Sequence, residues 1–167
     1  MPVGDEMLAH ATAPGRSEEM AATAMSSRPN RRVVVLTCMD TRIDPYALLG
    51  LARGEAHILR NAGGLVTDDV LRSLAASQRL LGTAEVVVVM HRGCGLEGGS
   101  DEDFHAQLSA DGPPPSWRLG AFADVEQALR EGLARLRESA ELVVRDGVRG
   151  FIFDPANGTL EEPEASG

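Results

Sequence analysis

Two runs of apolar, mostly β-branched residues constrain the fold of this 167-residue chain more than any other feature, because each run ends in metal-binding side chains. The first run covers residues 33–37 and leads directly into Cys38. The second covers residues 86–90 and leads into His91, with Cys94 three residues later. Continuous runs of this length are typical of strands buried on both faces of a parallel sheet. We predict that the ends of the two strands lie side by side.

The rest of the chain alternates helical and strand patterns. This alternation predicts an α/β fold with a mostly parallel central β-sheet flanked by α-helices. Strand patterns lie at residues 32–38, 56–60, 85–90, 148–153 and 159–160. Helical patterns, several with a capping residue at the start, lie at residues 6–12, 17–25, 45–54, 67–82, 100–108 and 122–136.

Composition and charge exclude several classes of protein. The formal net charge is −9, which argues against a nucleic-acid partner because phosphate binding needs a basic face. The apolar runs are too short and too often interrupted to span a bilayer, so we expect no membrane association. Asp5 and Glu6 stand where a secretory signal would carry basic residues. We therefore expect a cytoplasmic protein.

The chain contains two cysteines, Cys38 and Cys94. A structural disulfide is rare in the cytosol, which leaves inert core thiols, a redox pair or metal ligands. Ligands of open α/β sheets bind at the carboxyl ends of the strands, and Cys38 and His91 both stand at such ends. Thiolate and imidazole are the ligands that zinc prefers. We predict a Zn²⁺ site formed by Cys38, His91 and Cys94, with the fourth position left to water, substrate or a carboxylate.

Asp40 is the carboxylate available to this site. In an extended segment Cys38, Asp40 and Arg42 project to one side, because side chains alternate with a period of two. Asp40 can therefore reach the metal as a fourth ligand, or accept a hydrogen bond from metal-bound water, whose pKa zinc lowers to about 7. Arg42 can form a charge-assisted pair with Asp40 and keep it ionised.

A glycine pair in residues 61–64 allows another group to approach the backbone closely. Gly63 and Gly64 either form a wall of the cleft whose N–H groups bind the substrate, or simply make a turn. The other three histidines are interpreted as surface or hydrogen-bonded residues: His10, His57 and His105.

Three segments in this order carry a family resemblance: residues 38–42 (CMDTR), 60–64 (RNAGG) and 91–95 (HRGCG). Together they resemble the β-class carbonic anhydrases, and most of all the short bacterial branch of that family. The resemblance is continuous from about Val33 to Leu96 and looser as far as Leu160.

The resemblance implies zinc-dependent, reversible hydration of carbon dioxide to bicarbonate and a proton. It implies zinc ligation by Cys38, His91 and Cys94, and a catalytic dyad of Asp40 and Arg42. In some members the aspartate moves onto the zinc and closes the site. The family's fold is a mostly parallel sheet flanked by helices, and its members form homodimers or dimers of dimers in which N-terminal helices embrace the neighbour.

Arg92 departs from that branch, which often has smaller or acidic residues between the histidine and the cysteine. A cation this close to zinc would favour anions such as bicarbonate, or would block the cleft.

Two other functions fit the same residues. The first is hydrolysis of carbonyl sulfide or carbon disulfide, which some relatives perform on this scaffold. The second is a non-catalytic zinc-binding or thiol-sensing module whose cleft Asp40 closes. The sequence leaves the choice between these functions open.

The pattern divides the chain into two parts. Residues 1–30 are weakly patterned, and we interpret them as an N-terminal helical arm packed on the surface or on a partner subunit, with terminal disorder as the alternative. Residues 31–167 are predicted to form a single α/β zinc-binding catalytic domain.

Overall fold

A computed structural model describes residues 2–16, 21 and 25–163 of the chain. Five strands form one sheet: β1 (Val33–Cys38), β2 (Ala56–Asn61), β3 (Glu85–His91), β4 (Val148–Asp154) and β5 (Thr159–Glu161). The helices of the described residues include α1 (Val3–Ala11), α2 (Pro45–Leu49), α3 (Asp68–Leu81), α4 (Asp101–Ala110) and α5 (Val125–Glu138), with a 3₁₀ turn at Ala62–Gly64. The predicted α/β architecture is confirmed.

The sheet has the strand order β2-β1-β3-β4-β5. Strands β1 to β4 run parallel to one another, whereas β5 runs antiparallel to β4. From β1 the chain passes to β2 on one side and then returns to place β3 on the other side. Ligands bind at such a reversal of strand order, outside the carboxyl ends of the strands. Cys38 ends β1 and His91 ends β3, so both lie at this point.

The core lies on both faces of the sheet. One face packs against α3 and α5, and its fully buried members include Leu36, Leu74 and Leu129. The other face, around Val35 and Val89, packs against α2 and the residues that follow it. Because each face of β1 and β3 is covered in this way, these strands are apolar throughout, which is the pattern seen in the sequence.

Side-chain caps fix where several helices begin. Asp44 Oδ1 accepts hydrogen bonds from the backbone N–H groups of Tyr46 and Ala47, at 2.9 and 3.2 Å, and Pro45 occupies the first helical position. Ser100 Oγ accepts from the backbone N–H of Asp103 at 3.1 Å, as the sequence predicts for α4. These caps therefore place α2 and α4 where the polar residues before them indicate.

The predicted start of α5 is wrong by three residues. Asp124 caps the helix by accepting from the backbone N–H of Gln127 at 2.6 Å, so the helix begins at Val125 and not at Phe122. Phe122 instead donates its backbone N–H to Leu96 O at 3.1 Å and packs beside the site. Phe122 fits the apolar period of the helix, but it lies before the helix begins, and its side chain is partly buried.

The N-terminal pattern is confirmed in part. Helix α1 begins at Val3, three residues before the predicted start, and none of its residues is buried. The predicted helix at residues 17–25 lies almost wholly outside the described residues. None of the helices in the described part of the chain combines the length and hydropathy that a bilayer crossing requires.

Candidate metal centre

The three predicted metal ligands lie together at the carboxyl ends of β1 and β3. The ligand atoms of Cys38, His91 and Cys94 all lie within 4.8 Å of one another, and all three residues are buried. Cys38 and His91 come from adjacent strands, and the turn after β3 returns Cys94 to the same point. Two thiols and an imidazole at this spacing match the donor set of a zinc site with one open position.

In the imidazole of His91, one ring nitrogen forms a hydrogen bond and the other has no partner among the described residues. Its Nδ1 lies 3.1 Å from the backbone carbonyl of Arg92. A carbonyl only accepts, so Nδ1 carries the proton and the Nε2 lone pair is available. Among the described residues, Nε2 is a buried side-chain atom with no hydrogen-bond partner. Buried polar atoms are almost always satisfied, so this nitrogen fits a role as a metal ligand.

Asp40 and Arg42 form a two-point ion pair beside the three ligands. Arg42 Nε donates to Asp40 Oδ1 at 3.0 Å, and Nη2 donates to Oδ2 at 2.7 Å. Asp40 Oδ2 lies 3.8 Å from His91 Nε2, which is too long for a hydrogen bond. In this arrangement the carboxylate is tied to Arg42 and stands next to the position that a metal would occupy.

Electrostatics favour an ionised Asp40 and a neutral His91. Hydrogen bonds from the Arg42 side chain and backbone hold the pKa of Asp40 well below its usual range. Burial lowers the pKa of His91, so its imidazole is neutral at physiological pH, which is the form that binds metals. Burial raises the pKa of Cys94, whereas a bound cation favours the thiolate that zinc requires.

Arg42 and Glu97 also fix the turn that carries Cys94. Arg42 Nη2 donates to the carbonyl of Gly93 at 2.9 Å. The N–H of the same glycine donates to Glu97 Oε2 at 2.9 Å, and the Glu97 N–H donates back to Cys94 O at 3.0 Å. The turn between His91 and Cys94 is therefore held by the Arg42 side chain as well as by the residues that follow it.

Sequence reasoning assigned no role to Arg60, although it belongs to one of the three motifs. Its Nε donates to Cys38 O at 2.9 Å and its Nη2 donates to Asp40 O at 2.7 Å, so it fixes the backbone on both sides of Met39. The signal that could have found it is its register position, because Arg60 on β2 stands opposite Thr37 at the carboxyl end of β1.

Gly63 and Gly64 lie in the 3₁₀ turn beneath the end of β1. Both are buried and both have positive φ angles, +77° and +66°. A Cβ at Gly64 would lie 3.1 Å from the backbone nitrogen of Cys38 and 3.1 Å from the carbonyl carbon of Thr37. Gly64 is therefore needed for the close approach of this turn to the strand that carries Cys38.

Arg92 does not act as a cation in the cleft. Its guanidinium hydrogen-bonds to the carboxylates of Glu126 and Glu161, so its charge is already paired. Of the other histidines, His57 lies 2.8 Å from Ser77 Oγ and His105 lies 2.7 Å from a backbone carbonyl. These contacts agree with hydrogen-bonded rather than metal-binding histidines.

Apolar side chains surround the two thiols. Ile43 and Leu96 are buried with them, and partly buried residues pack around this cluster, including Leu65, Leu119, Phe104 and Phe122. The arrangement places a metal-binding donor set in a mostly apolar surrounding, with the Asp40–Arg42 ion pair beside it.

Comparisons with known proteins agree with this geometry. A model of the carbonic anhydrase family matches residues 33–117. The chain is 42% identical to β-carbonic anhydrase 1 of Mycobacterium tuberculosis over 135 residues, which cover 80% of this chain and 83% of the relative. It is 31% identical to a carbon disulfide hydrolase of Acidithiobacillus thiooxidans over 156 residues, 80% of this chain and 78% of the relative.

Among solved structures, the chain resembles a carbonic anhydrase from Streptococcus mutans with a TM-score of 0.87 and 36% sequence identity. That match covers 98% of this chain and 99% of the other. Fold, motif order and the Cys38–His91–Cys94 cluster thus agree with one another. The chain belongs to the carbonic anhydrase family, in its β-class.

Proposed function

We propose that this protein catalyses the reversible hydration of carbon dioxide to bicarbonate and a proton, on zinc bound by Cys38, His91 and Cys94. The observation that carries the proposal is the buried, unpartnered Nε2 of His91, which lies beside two thiols and an arginine-bound carboxylate. Family membership supports the same activity.

The donor set determines what the metal contributes. When bound, zinc would act as a Lewis acid and lower the pKa of a bound water, which makes a hydroxide nucleophile available near neutral pH. Three protein ligands leave the fourth position for the reacting oxygen, which is the pattern of a catalytic rather than a structural zinc site. The hydrogen bond from His91 Nδ1 to the Arg92 carbonyl orients the ring and keeps Nε2 unprotonated.

Asp40 is proposed as the group that orients the reacting oxygen and accepts its hydrogen bond. Arg42 engages both carboxylate oxygens, so Asp40 is ionised and turned to one fixed direction. The same pair argues against Asp40 as a fourth metal ligand in this conformation, because binding the metal would require it to leave Arg42. Loss of that contact would be the structural change needed for a closed state.

The apolar surrounding suits a small, uncharged substrate. Leu65, Leu96 and Phe122 pack around the thiol cluster and offer no charge or hydrogen bond to bind an ion. Carbon dioxide lacks a net charge and a hydrogen-bond donor, so apolar walls can accept it while Asp40 and Arg42 face the charged product. The substrate-binding role of Gly63 and Gly64 stays a prediction, and their contacts support a packing role beneath Cys38.

Stopped-flow hydration of carbon dioxide with the zinc-loaded protein tests the proposal. We expect turnover that a zinc chelator abolishes and that added zinc restores. A zinc-loaded, folded protein without hydration activity at neutral and alkaline pH would contradict the proposal. It would favour the zinc-binding or thiol-sensing module, because a site closed only by Asp40 is expected to recover activity as the pH rises.

A second candidate is hydrolysis of carbon disulfide or carbonyl sulfide. The relative from Acidithiobacillus thiooxidans, named a carbon disulfide hydrolase, aligns with 80% of this chain. The assay that separates the two compares turnover of the three gases by one enzyme preparation. Greater efficiency on carbon disulfide or carbonyl sulfide than on carbon dioxide would favour the hydrolase.

We also propose that the protein is a homodimer or a dimer of dimers, with residues 1–30 as an arm and residues 31–167 as the catalytic domain. Helix α1 supports this, because it buries none of its residues on its own chain and exposes Val3, Met7 and Leu8 by 63–66%. A groove of about 370 Å³ on one sheet face, lined in part by Val33, Val87 and Phe151, offers a complementary apolar surface.

Sedimentation equilibrium tests the assembly. We expect a mass of two or four chains for the parent protein, and a smaller mass for Met7→Glu, which places a charge on the apolar side of α1. Leu80→Glu changes an exposed apolar residue on α3 and serves as the matched control. A monomeric parent protein would contradict the proposed assembly.

A further inference from the structure

The turn between His91 and Cys94 contains the two residues that connect these ligands, Arg92 and Gly93. The Arg92 carbonyl accepts from His91 Nδ1 at 3.1 Å, and the Arg92 N–H donates to Phe153 O at 2.9 Å. The backbone of Arg92 therefore sets the orientation of the histidine ring and attaches the turn to β4. Any displacement of this peptide would rotate or shift a metal ligand.

The side chain of Arg92 is anchored at two points far away in the sequence. Its Nη2 donates to Glu161 Oε1, at the end of β5, and to Glu126 Oε1, in the first turn of α5, at 3.3 Å. These partners lie 69 and 34 residues further along the chain. One guanidinium thus connects the metal-binding turn to a helix and to the edge strand of the sheet.

Stability alone does not account for this arrangement. The three side chains are 41–53% exposed, and ion pairs with that exposure contribute little to folding. This segment contains two glycines, Gly93, which has a φ of +62°, and Gly95, two residues later. Glycines lose more conformational freedom than other residues when they are ordered. A neighbouring residue that is held in place, such as Arg92, therefore contributes most to ordering a turn of this composition.

We propose that Arg92 is a positioning residue of the metal centre. With its guanidinium held by Glu126 and Glu161, it fixes the peptide that orients His91 and restrains the turn that returns Cys94 to the metal. The inference rests on the proposed zinc site. It assigns to β5 and α5 a role in metal retention that their distance from the site in sequence would not indicate.

The test measures zinc release from the full-length protein into excess chelator, followed with a colorimetric zinc indicator. Outer partners of metal ligands typically affect metal affinity by 10–100-fold, so we expect Arg92→Ala to release zinc on the order of tenfold faster than the parent. The double variant Glu126→Ala/Glu161→Ala removes both acceptors of the Arg92 guanidinium and is expected to match Arg92→Ala. Combining all three substitutions is expected to add little, because the three residues act through one hydrogen-bonded network centred on the Arg92 guanidinium.

Arg130→Ala is the matched control. Arg130 also pairs with Glu126, at 3.8 Å, but does not touch the metal-binding turn. It is expected to change the thermal midpoint of the zinc-free protein about as much as Arg92→Ala does, and to leave zinc release unchanged. In cobalt-substituted protein, the visible d–d bands are expected to shift in Arg92→Ala and not in Arg130→Ala, because only Arg92 affects ligand geometry.

The outcomes separate this inference from the proposed function. Zinc release from Arg92→Ala within twofold of the parent would overturn the positioning role and leave the zinc site intact. A parent protein that binds no zinc would overturn the proposed function itself. If Arg92→Ala does not fold, Glu126→Ala/Glu161→Ala decides, because it removes both anchoring carboxylates and leaves Arg92 in place: faster zinc release supports the role, and unchanged release overturns it.

Discussion

Arg42 binds Asp40 through both carboxylate oxygens, at 3.0 and 2.7 Å, and its backbone N–H donates to Asp40 Oδ1 at 2.9 Å. Three hydrogen bonds to one carboxylate leave it ionised and fixed in direction. Oδ2 lies 3.8 Å from His91 Nε2, so the carboxylate stands beside the buried ligand cluster without bonding to it.

Asp40→Asn is expected to retain zinc and to lower turnover by at least about tenfold. The amide keeps the size of the side chain but removes the charge and one acceptor, and groups that orient or transfer a proton contribute roughly 10²–10⁴-fold. Zinc content and stopped-flow hydration measure the two effects on the same sample.

Asp44→Asn is the matched control, four residues along the chain. Asparagine caps a helix as well as aspartate does, so the bonds from Tyr46 and Ala47 are retained and turnover is expected to stay at the parent value. Parent-level turnover in Asp40→Asn would remove Asp40 from the mechanism.

Gly64→Ala is expected to destabilise the protein more than Gly63→Ala. Both substitutions place alanine at a positive φ, which costs about 1–2 kcal/mol. At Gly64 the added methyl meets the backbone of Thr37 and Cys38, which cannot move without shifting β1, and overpacking of this kind costs about 1–3 kcal/mol more.

The comparison uses urea unfolding of the zinc-free variants. At Gly63 the added methyl meets only the side chains of Leu65 and Leu96, at 3.1 Å, and side chains can adjust. Gly64→Ala is also expected to release zinc faster, because Cys38 is part of the backbone it displaces. Equal unfolding midpoints for the two variants would contradict this account of the turn.

Asp101 fixes the loop that carries Leu119 to the metal centre. Its Oδ1 accepts from the N–H groups of Gly120 and Ala121, at 2.8 and 2.9 Å, and its Oδ2 accepts from Arg118 Nε at 2.7 Å. Asp101→Asn keeps the side-chain oxygen that accepts from the backbone N–H groups of Gly120 and Ala121. Asp101→Ala removes that oxygen and leaves both N–H groups without this acceptor. We therefore expect Asp101→Ala to lower the urea midpoint more than Asp101→Asn does.

The carboxylate of Asp101 also makes the stability of the protein depend on pH. Hydrogen bonds from the Ala121 backbone and the Arg118 side chain lower the pKa of Asp101 to about 2. A group with a lowered pKa stabilises the fold fully above its unfolded value, about 3.9, and loses that effect as the pH falls toward 2. The difference in stability between parent and Asp101→Asn is expected to be constant near neutral pH and to shrink between pH ~4 and ~2. A difference that does not change over this range would contradict the assignment.

Short sequence patterns predicted most of the helices and strands of the protein and the position of its metal site. The β-branched runs ending at Cys38 and His91 predicted two buried parallel strands, and their polar ends predicted one shared site. Asp44 with Pro45 predicted the start of α2. Each of these inferences needs only neighbouring residues and the rule that ligands lie at the carboxyl ends of strands.

Features that depend on distant partners were not predicted. Arg92 was expected to act in or across the cleft, but it turns to Glu126 and Glu161, which no local pattern connects to it. Phe122 fits the period of α5, yet the cap at Asp124 excludes it from the helix. Arg60 acts on the backbone of β1, so its role becomes visible only when the strands are paired. At Gly64 the sequence predicted a close approach, but not that the backbone of β1 is the group that approaches.

The proposed catalysis depends on the binding of one zinc ion by Cys38, His91 and Cys94. The most direct measurement is zinc content per chain, by mass spectrometry of the metal, in the parent and in Cys38→Ser and His91→Ala, with His10→Ala on the exposed helix α1 as the control. We predict about one zinc per chain in the parent and the control, and little or none in the two ligand variants. About one zinc per chain in either ligand variant would contradict the claim.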